Sequence, residues 1–104
     1  MFLVVFRNRK RADIDQAAYG AEADLMEAMA RKQAGFVSFK SYVADDGEVI
    51  ALSEWEHEDA ALAWRRVAEH SAAQSRGRAE FYEEYTLFAC KNPRVHRFSR
   101  KDGP

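Results

Sequence analysis

The chain has 104 residues, 47% hydrophobic and 32% charged, and its sixteen lysines and arginines nearly cancel seventeen aspartates and glutamates to leave a formal net charge of −1. That length suits one domain with its own core, and the balanced charge excludes the strongly basic profile of a dedicated nucleic-acid binder. No apolar run approaches the roughly 20 residues of a membrane span, the basic residues of MFLVVFRNRK follow its apolar run where a secretory signal would place them before it, and the single Cys90 allows neither an internal disulfide nor a cysteine-rich zinc site; a cytoplasmic protein is expected.

In chain order, Phe2 to Arg9 opens with apolar residues at both parities, Phe2, Val4 and Phe6 against Leu3 and Val5, which predicts a strand buried on both faces. Asp13 with Gln16 three positions on predicts a capping box. The helix that follows has Ile14, Ala18, Ala21, Leu25, Ala28 and Met29 at helical spacing until Gly35 stops it. Phe36 to Ala44 and Glu48 to Glu56 read as strands joined through Asp46-Gly47, a hairpin signal. Glu58 and Asp59 supply the negative charge favoured at a helix N-terminus, and Ala60, Ala61, Trp64, Val67, Ala68 and Ser71 line one side of a second helix that loosens around Ser75 to Gly77. Phe81 to Lys91 reads as the last strand, closed by Asn92-Pro93, and Arg94 to Pro104 as an extended basic tail of this single 1–104 domain.

The order β-α-β-β-α-β predicts an α+β, ferredoxin-like subunit: a four-stranded antiparallel sheet with two helices on one face. Two helices cover one face only, yet the first, third and fourth strands have apolar residues at both parities. A second copy of the chain is the simplest cover, so a homodimer through the open sheet face is expected.

The run ALSEWEHEDAALAWRRVAEHSAAQSRGRAEFYEEYTLFACK, with Trp55 at a strand end, Trp64 and then His70 on a helix, and Phe81, Tyr82 and Tyr85 beyond, resembles the antibiotic biosynthesis monooxygenase-like family. The resemblance extends from Phe2 to Phe98. It implies a dimeric α+β barrel of ferredoxin-like subunits and a choice among the chemistries that fold supports. Haem-degrading members use an Asn on the first strand, a Trp on the second helix and a His ten residues after that Trp. Asn8 and Trp64 match the first two, whereas the ligand position is Gln74, a poor iron ligand beside imidazole.

Asn8 continues the alternation of Phe2, Val4 and Phe6, and an amide presented to a pocket can hold a substrate carbonyl or phenolate. Trp64 and Trp55 offer surfaces for a flat aromatic ligand or for ordinary core packing. His70 is the candidate for proton transfer, because imidazole titrates near pH ~6.5; His57 and His96 are weaker candidates. The histidines show no metal-ligand spacing, and there is no glycine-rich phosphate loop or dinucleotide fingerprint, so no metal and no cofactor are expected. Arg7, Arg9, Lys10 and Arg11 read as a solvated basic turn. Three functions fit these residues. The first is a cofactor-independent monooxygenase acting on a small or polycyclic phenol or quinol, with Asn8 and His70 catalytic and Trp64 and Trp55 binding the substrate. The second is a non-catalytic dimeric module, stress-associated or holding a small hydrophobic or aromatic molecule. The third is a haem-binding or haem-degrading oxygenase.

Overall fold

The computed structural model describes residues 1–70 and 81–102, with residues 68–70 and 102 described by their backbone alone. The elements are β1 (Phe2–Lys10), α1 (Gln16–Arg31), β2 (Phe36–Val43), β3 (Val49–Trp55), α2 (Glu58–His70) and β4 (Tyr82–Lys91), followed by a 3-10 turn at Arg100–Asp102. The sheet order is β2-β3-β1-β4, with every neighbouring pair antiparallel. Two helices on a four-stranded antiparallel sheet make this the ferredoxin-like α+β fold that the element order implies. Among the described residues, no helix is long and apolar enough to cross a membrane.

Local chemistry sets the boundaries. The first helix starts two residues later than the Asp13 capping box predicts: Asp15 caps it, with Oδ1 accepting from the Ala18 N–H at 3.0 Å, while Asp13 pairs with Arg11 at 2.9 Å. It ends at Arg31, short of Gly35, whose φ of +83° leads the chain into β2. The hairpin forms where Asp46-Gly47 predicts it: Gly47 takes φ +89°, and Asp46 Oδ1 accepts from the Glu48 N–H at 3.1 Å. His57 caps α2, its Nδ1 accepting from the Ala60 N–H at 3.3 Å, so the imidazole is committed to the helix end.

The helix-side face of the sheet holds the core, in which Phe2, Val4, Ala30, Trp55, Ala60 and Ala61 form one buried cluster. Trp55 lies at its centre with no exposed surface; its indole N–H donates to Ser53 Oγ at 3.0 Å, and Phe36 meets it edge-on. Each edge strand has one residue without a cross-strand partner. The register passes from Phe36 to Ser38 against β3, skipping Val37, and from Tyr82 to Glu84 against β1, skipping Glu83. In a regular strand, residues three apart point to opposite faces. The bulges instead bring Phe36 and Phe39, and Tyr82 and Tyr85, to the helix side.

The apolar positions that mark α1 in the sequence do not all turn toward the sheet: Ile14, Ala18 and Met29 are half-buried. Ala21, Leu25 and Ala28 are exposed, Leu25 by 49%, whereas Tyr19, Glu22, Ala23, Met26 and Ala30 face the sheet. The inward face contains a tyrosine and a carboxylate, so a search for apolar periodicity selects its neighbour. On the opposite sheet face the basic turn is largely neutralised. Arg7 pairs with Glu48 at 3.1 Å, and Arg9 with Asp46 at 2.6 Å and Glu84 at 3.7 Å. The Arg9 hydrogen bond holds the Asp46 carboxyl below its usual range.

Candidate functional site

Both helices stand away from the middle of the sheet and leave a cavity of about 370 Å³. Its floor is the helix-side face: Phe2, Val4 and Phe6 from β1, Ala51 and Ser53 from β3, Phe39 from β2, and Tyr85, Leu87 and Ala89 from β4. One wall comes from α1, where Tyr19, Glu22, Ala23 and Met26 follow the i, i+3, i+4, i+7 spacing of a single helical face. The other comes from α2, where Glu58, Ala61, Leu62 and Arg65 repeat that spacing and Trp64 closes the side toward the core.

The cavity has two chemically different ends. Trp64 stacks on Trp55 at 5.4 Å with 26° between the rings, and its Nε1–H is buried with no hydrogen-bond partner among the described residues. A buried donor without an acceptor is costly, so this one is ready for a ligand oxygen or a water. At the other end Phe6 is in ring contact with Tyr82 at 5.5 Å and Tyr85 at 5.4 Å, and Tyr19 meets Phe81 at 5.5 Å and Tyr82 at 6.2 Å. Burial pushes the Tyr82 hydroxyl well above its ordinary value, and the neighbouring Tyr19 and Glu22 reinforce the shift. Tyr82 is therefore neutral at physiological pH and acts as a donor, not a base.

The four site residues expected from sequence fall in different places. Trp64 is on the cavity wall. Trp55 is behind it, fully buried and tied to Ser53, so it braces Trp64 and offers no surface to a ligand. Asn8 is buried, with 2% exposure, and its Oδ1 has no partner among the described residues. It sits two residue pairs beyond Phe6, opposite Tyr85, and lines a separate polar cleft of about 90 Å³ with Arg7, Arg9 and Glu48. Tyr85 lines both spaces and is the link between them. The His70 side chain and Gln74 lie outside the described residues. No group of three His, Cys, Asp or Glu among the described residues could hold a metal ion.

Tyr19, Glu22 and Tyr82 are the site residues that sequence reading missed. The available signal for the α1 pair was their spacing with Ala23 and Met26, an amphipathic stripe with polar members. For Tyr82 no alternation signal existed, because the bulge at Glu83 reverses its side.

Comparison with known proteins adds an independent line. The antibiotic biosynthesis monooxygenase family model matches residues 1–76. The uncharacterised protein YqjZ of Bacillus subtilis is 34% identical over 97 residues, covering 93% of this chain and 83% of that protein. Two solved structures share the fold. Rv0793 from Mycobacterium tuberculosis has a TM-score of 0.76 at 18% identity, covering 94% of this chain and 98% of its own. SnoaB from Streptomyces nogalater, described as a cofactor-independent oxygenase, has a TM-score of 0.74 at 16% identity, covering 90% and 94%.

Proposed function

This chain belongs to the antibiotic biosynthesis monooxygenase family, and from that premise we propose that it is a cofactor-independent monooxygenase whose cavity binds a planar phenol, quinol or related aromatic. The observation that supports this reading is the cavity itself: about 370 Å³, walled mostly by aromatic and aliphatic side chains with a few polar groups. Its size and lining are those of small-molecule sites, which run from roughly 300 to 1,000 Å³.

The chemistry asks little of the protein beyond positioning, a dry environment and removal of a proton. A ring methylene flanked by aromatic carbonyl and hydroxyl groups reacts with dioxygen to give a carbonyl and water. The carbon loses both hydrogens, one oxygen atom stays on it, and the other leaves as water. All four electrons come from the substrate, and they become available once a proton is lost to give the enolate or phenolate. His70 on the last turn of α2 is the residue we assign to that proton. Trp64 packs against the ring and offers Nε1–H to an oxygen of the substrate. Asn8 acts through Tyr85, holding the end of the cavity next to the polar cleft. The working unit is a homodimer joined through the open sheet face, where Phe88 and Tyr42 are 44% and 48% exposed.

Oxygen uptake in the presence of a chelator, with 1,8-dihydroxyanthrone as substrate, tests the reaction. The expected result is uptake above autoxidation, with one quinone formed per dioxygen, reduced at least tenfold in His70→Ala. Uptake no faster than the buffer blank overturns the reading. Sedimentation as a monomer at micromolar concentration overturns the dimer.

A further inference from the structure

At its Trp64 end the cavity holds two protons that no described group accepts. Ser53 lies on the β3 part of the floor, 3% exposed and opposite Val4 across the sheet. Trp55, two residues on and on the same face, donates its indole N–H to Ser53 Oγ at 3.0 Å. Ser53 Oγ accepts that hydrogen and donates to no described residue, so its rotatable proton is available to the cavity that the residue lines. The second donor is Trp64 Nε1–H, buried and likewise unpartnered among the described residues. Trp55 ties the two together: it stacks on Trp64 at 5.4 Å with 26° between the rings and hydrogen-bonds Ser53, which places the donors one indole apart.

Buried donors without acceptors disfavour the empty site and favour whatever brings lone pairs to it. The hydrogen that Trp55 gives to Ser53 also polarises the Ser53 O–H and strengthens it as a donor. The carboxylates of the cavity are elsewhere. Glu58 is exposed, six residues and about 9 Å before Trp64 along α2, and Glu22 stands on α1 near Tyr82. The floor around Ser53 is apolar, made by Phe2, Val4, Phe39 and Ala51. A ring carbonyl brings two lone pairs and no proton, and satisfies both donors. A hydroxyl accepts as well but adds a proton to a place already short of acceptors, and a methylene leaves both donors unpaired.

We infer that Ser53 Oγ–H and Trp64 Nε1–H form a paired donor site for a single ring oxygen, which selects polycyclic aromatic ketones and their enolates over the corresponding hydrocarbons. In the reaction proposed above, negative charge gathers on such an oxygen as the ring methylene loses its proton, and donors fixed beforehand favour the charged form. Ser53 then touches the substrate directly, and Trp55 is a positioning residue that acts through it. The inference rests on the cavity being the aromatic site proposed above and adds which end of the substrate lies against Trp64.

A ketone that dioxygen does not oxidise separates the two. 9-Fluorenone, 9-fluorenol and fluorene share one ring frame and are titrated into the full chain and into Ser53→Ala, Ser53→Thr and Trp64→Phe, each checked by circular dichroism. Ser53→Ala also strips the Trp55 N–H of its acceptor, so the ratio of affinities is read and not the affinity alone. Because a buried polar group left unpaired penalises the wrong ligand, the preference for fluorenone over fluorene should fall at least about fivefold in Ser53→Ala and in Trp64→Phe. Ser53→Thr keeps the hydroxyl and should keep the preference. The carbonyl stretch of bound fluorenone should lie below its value in hexane and return toward that value in Ser53→Ala. A preference that survives Ser53→Ala, or Trp64→Phe should Ser53→Ala not fold, overturns the inference; so does an unshifted stretch, tighter binding of fluorenol than of fluorenone, or no binding of any of the three. Oxygen uptake from a hydroxyarene without ketone preference would overturn the donor pair and leave the monooxygenase reading standing, and ketone preference without uptake from any hydroxyarene would do the reverse.

Discussion

Two ends of one sheet face, four residues apart on β1, behave as different materials. At the Phe2 end, Phe2, Ala30, Trp55 and Ala60 are each at most 5% exposed and belong to one buried cluster. At the Phe6 end the rings touch at their edges and leave space, and Tyr85 is 44% exposed. The contrast teaches that helix cover and close packing are separable. The same two helices pack closely behind Trp64 at one end of the face and arch more openly over the other, so stability concentrates around Trp55 and the polar lining around Tyr82.

That division can be broken by substitution. Trp55→Ala removes the largest fully buried side chain and the Ser53 hydrogen bond, and should cost roughly 3–5 kcal/mol, read as a drop in the urea midpoint large enough to threaten folding. Gly35→Ala comes next. A Cβ there would lie 2.6 Å from Ala60 Cβ on a residue with φ +83°, and roughly 2–4 kcal/mol should be lost; a stability change under about 0.5 kcal/mol would contradict the close approach of β2 to α2. His57→Ala leaves the Ala60 N–H uncapped and should cost about 0.5–2 kcal/mol, largely restored in His57→Asn.

The smallest effect belongs to the tyrosine end. Tyr82→Phe should change stability at pH 7 by no more than about 1 kcal/mol; a loss rivalling that of Trp55→Ala would erase the distinction between the two ends. Its signature lies in alkali. The folded-state pKa of Tyr82 is raised above its ordinary 10.0. The unfolded chain therefore loses this proton first, and stability present below pH 10 declines as pH rises toward the folded value. Melting curves of the native chain should fall more steeply above pH 10 than those of Tyr82→Phe.

How much of this was legible beforehand follows a physical boundary. Element order, the Asp46-Gly47 hairpin and the acidic start of α2 rest on local chemistry, which the sequence states directly. Trp64 was singled out by its match to a position of the family the chain resembles, and it lies on the cavity wall. Asn8 is buried, yet its alternation with Phe6 did not reveal that it lines the separate polar cleft and not the cavity, because that depends on how far the helices arch, which no periodicity encodes. Tyr19 and Glu22 were hidden because a functional face of α1 breaks the apolar pattern that marks an inward face.

The two bulges give the edge strands a different kind of control over the site. Val37 and Glu83 are supernumerary residues with no partner across the ladder. Removing either would restore strict alternation and send one ring of the Phe36–Phe39 or Tyr82–Tyr85 pair through to the opposite sheet surface. The lining of the cavity is thus set by whether each edge strand is odd or even in length between its aromatics. A single-codon deletion in β2 or β4 would move an entire ring out of the site and onto the face where a second copy is proposed to dock, coupling ligand chemistry to assembly in one step.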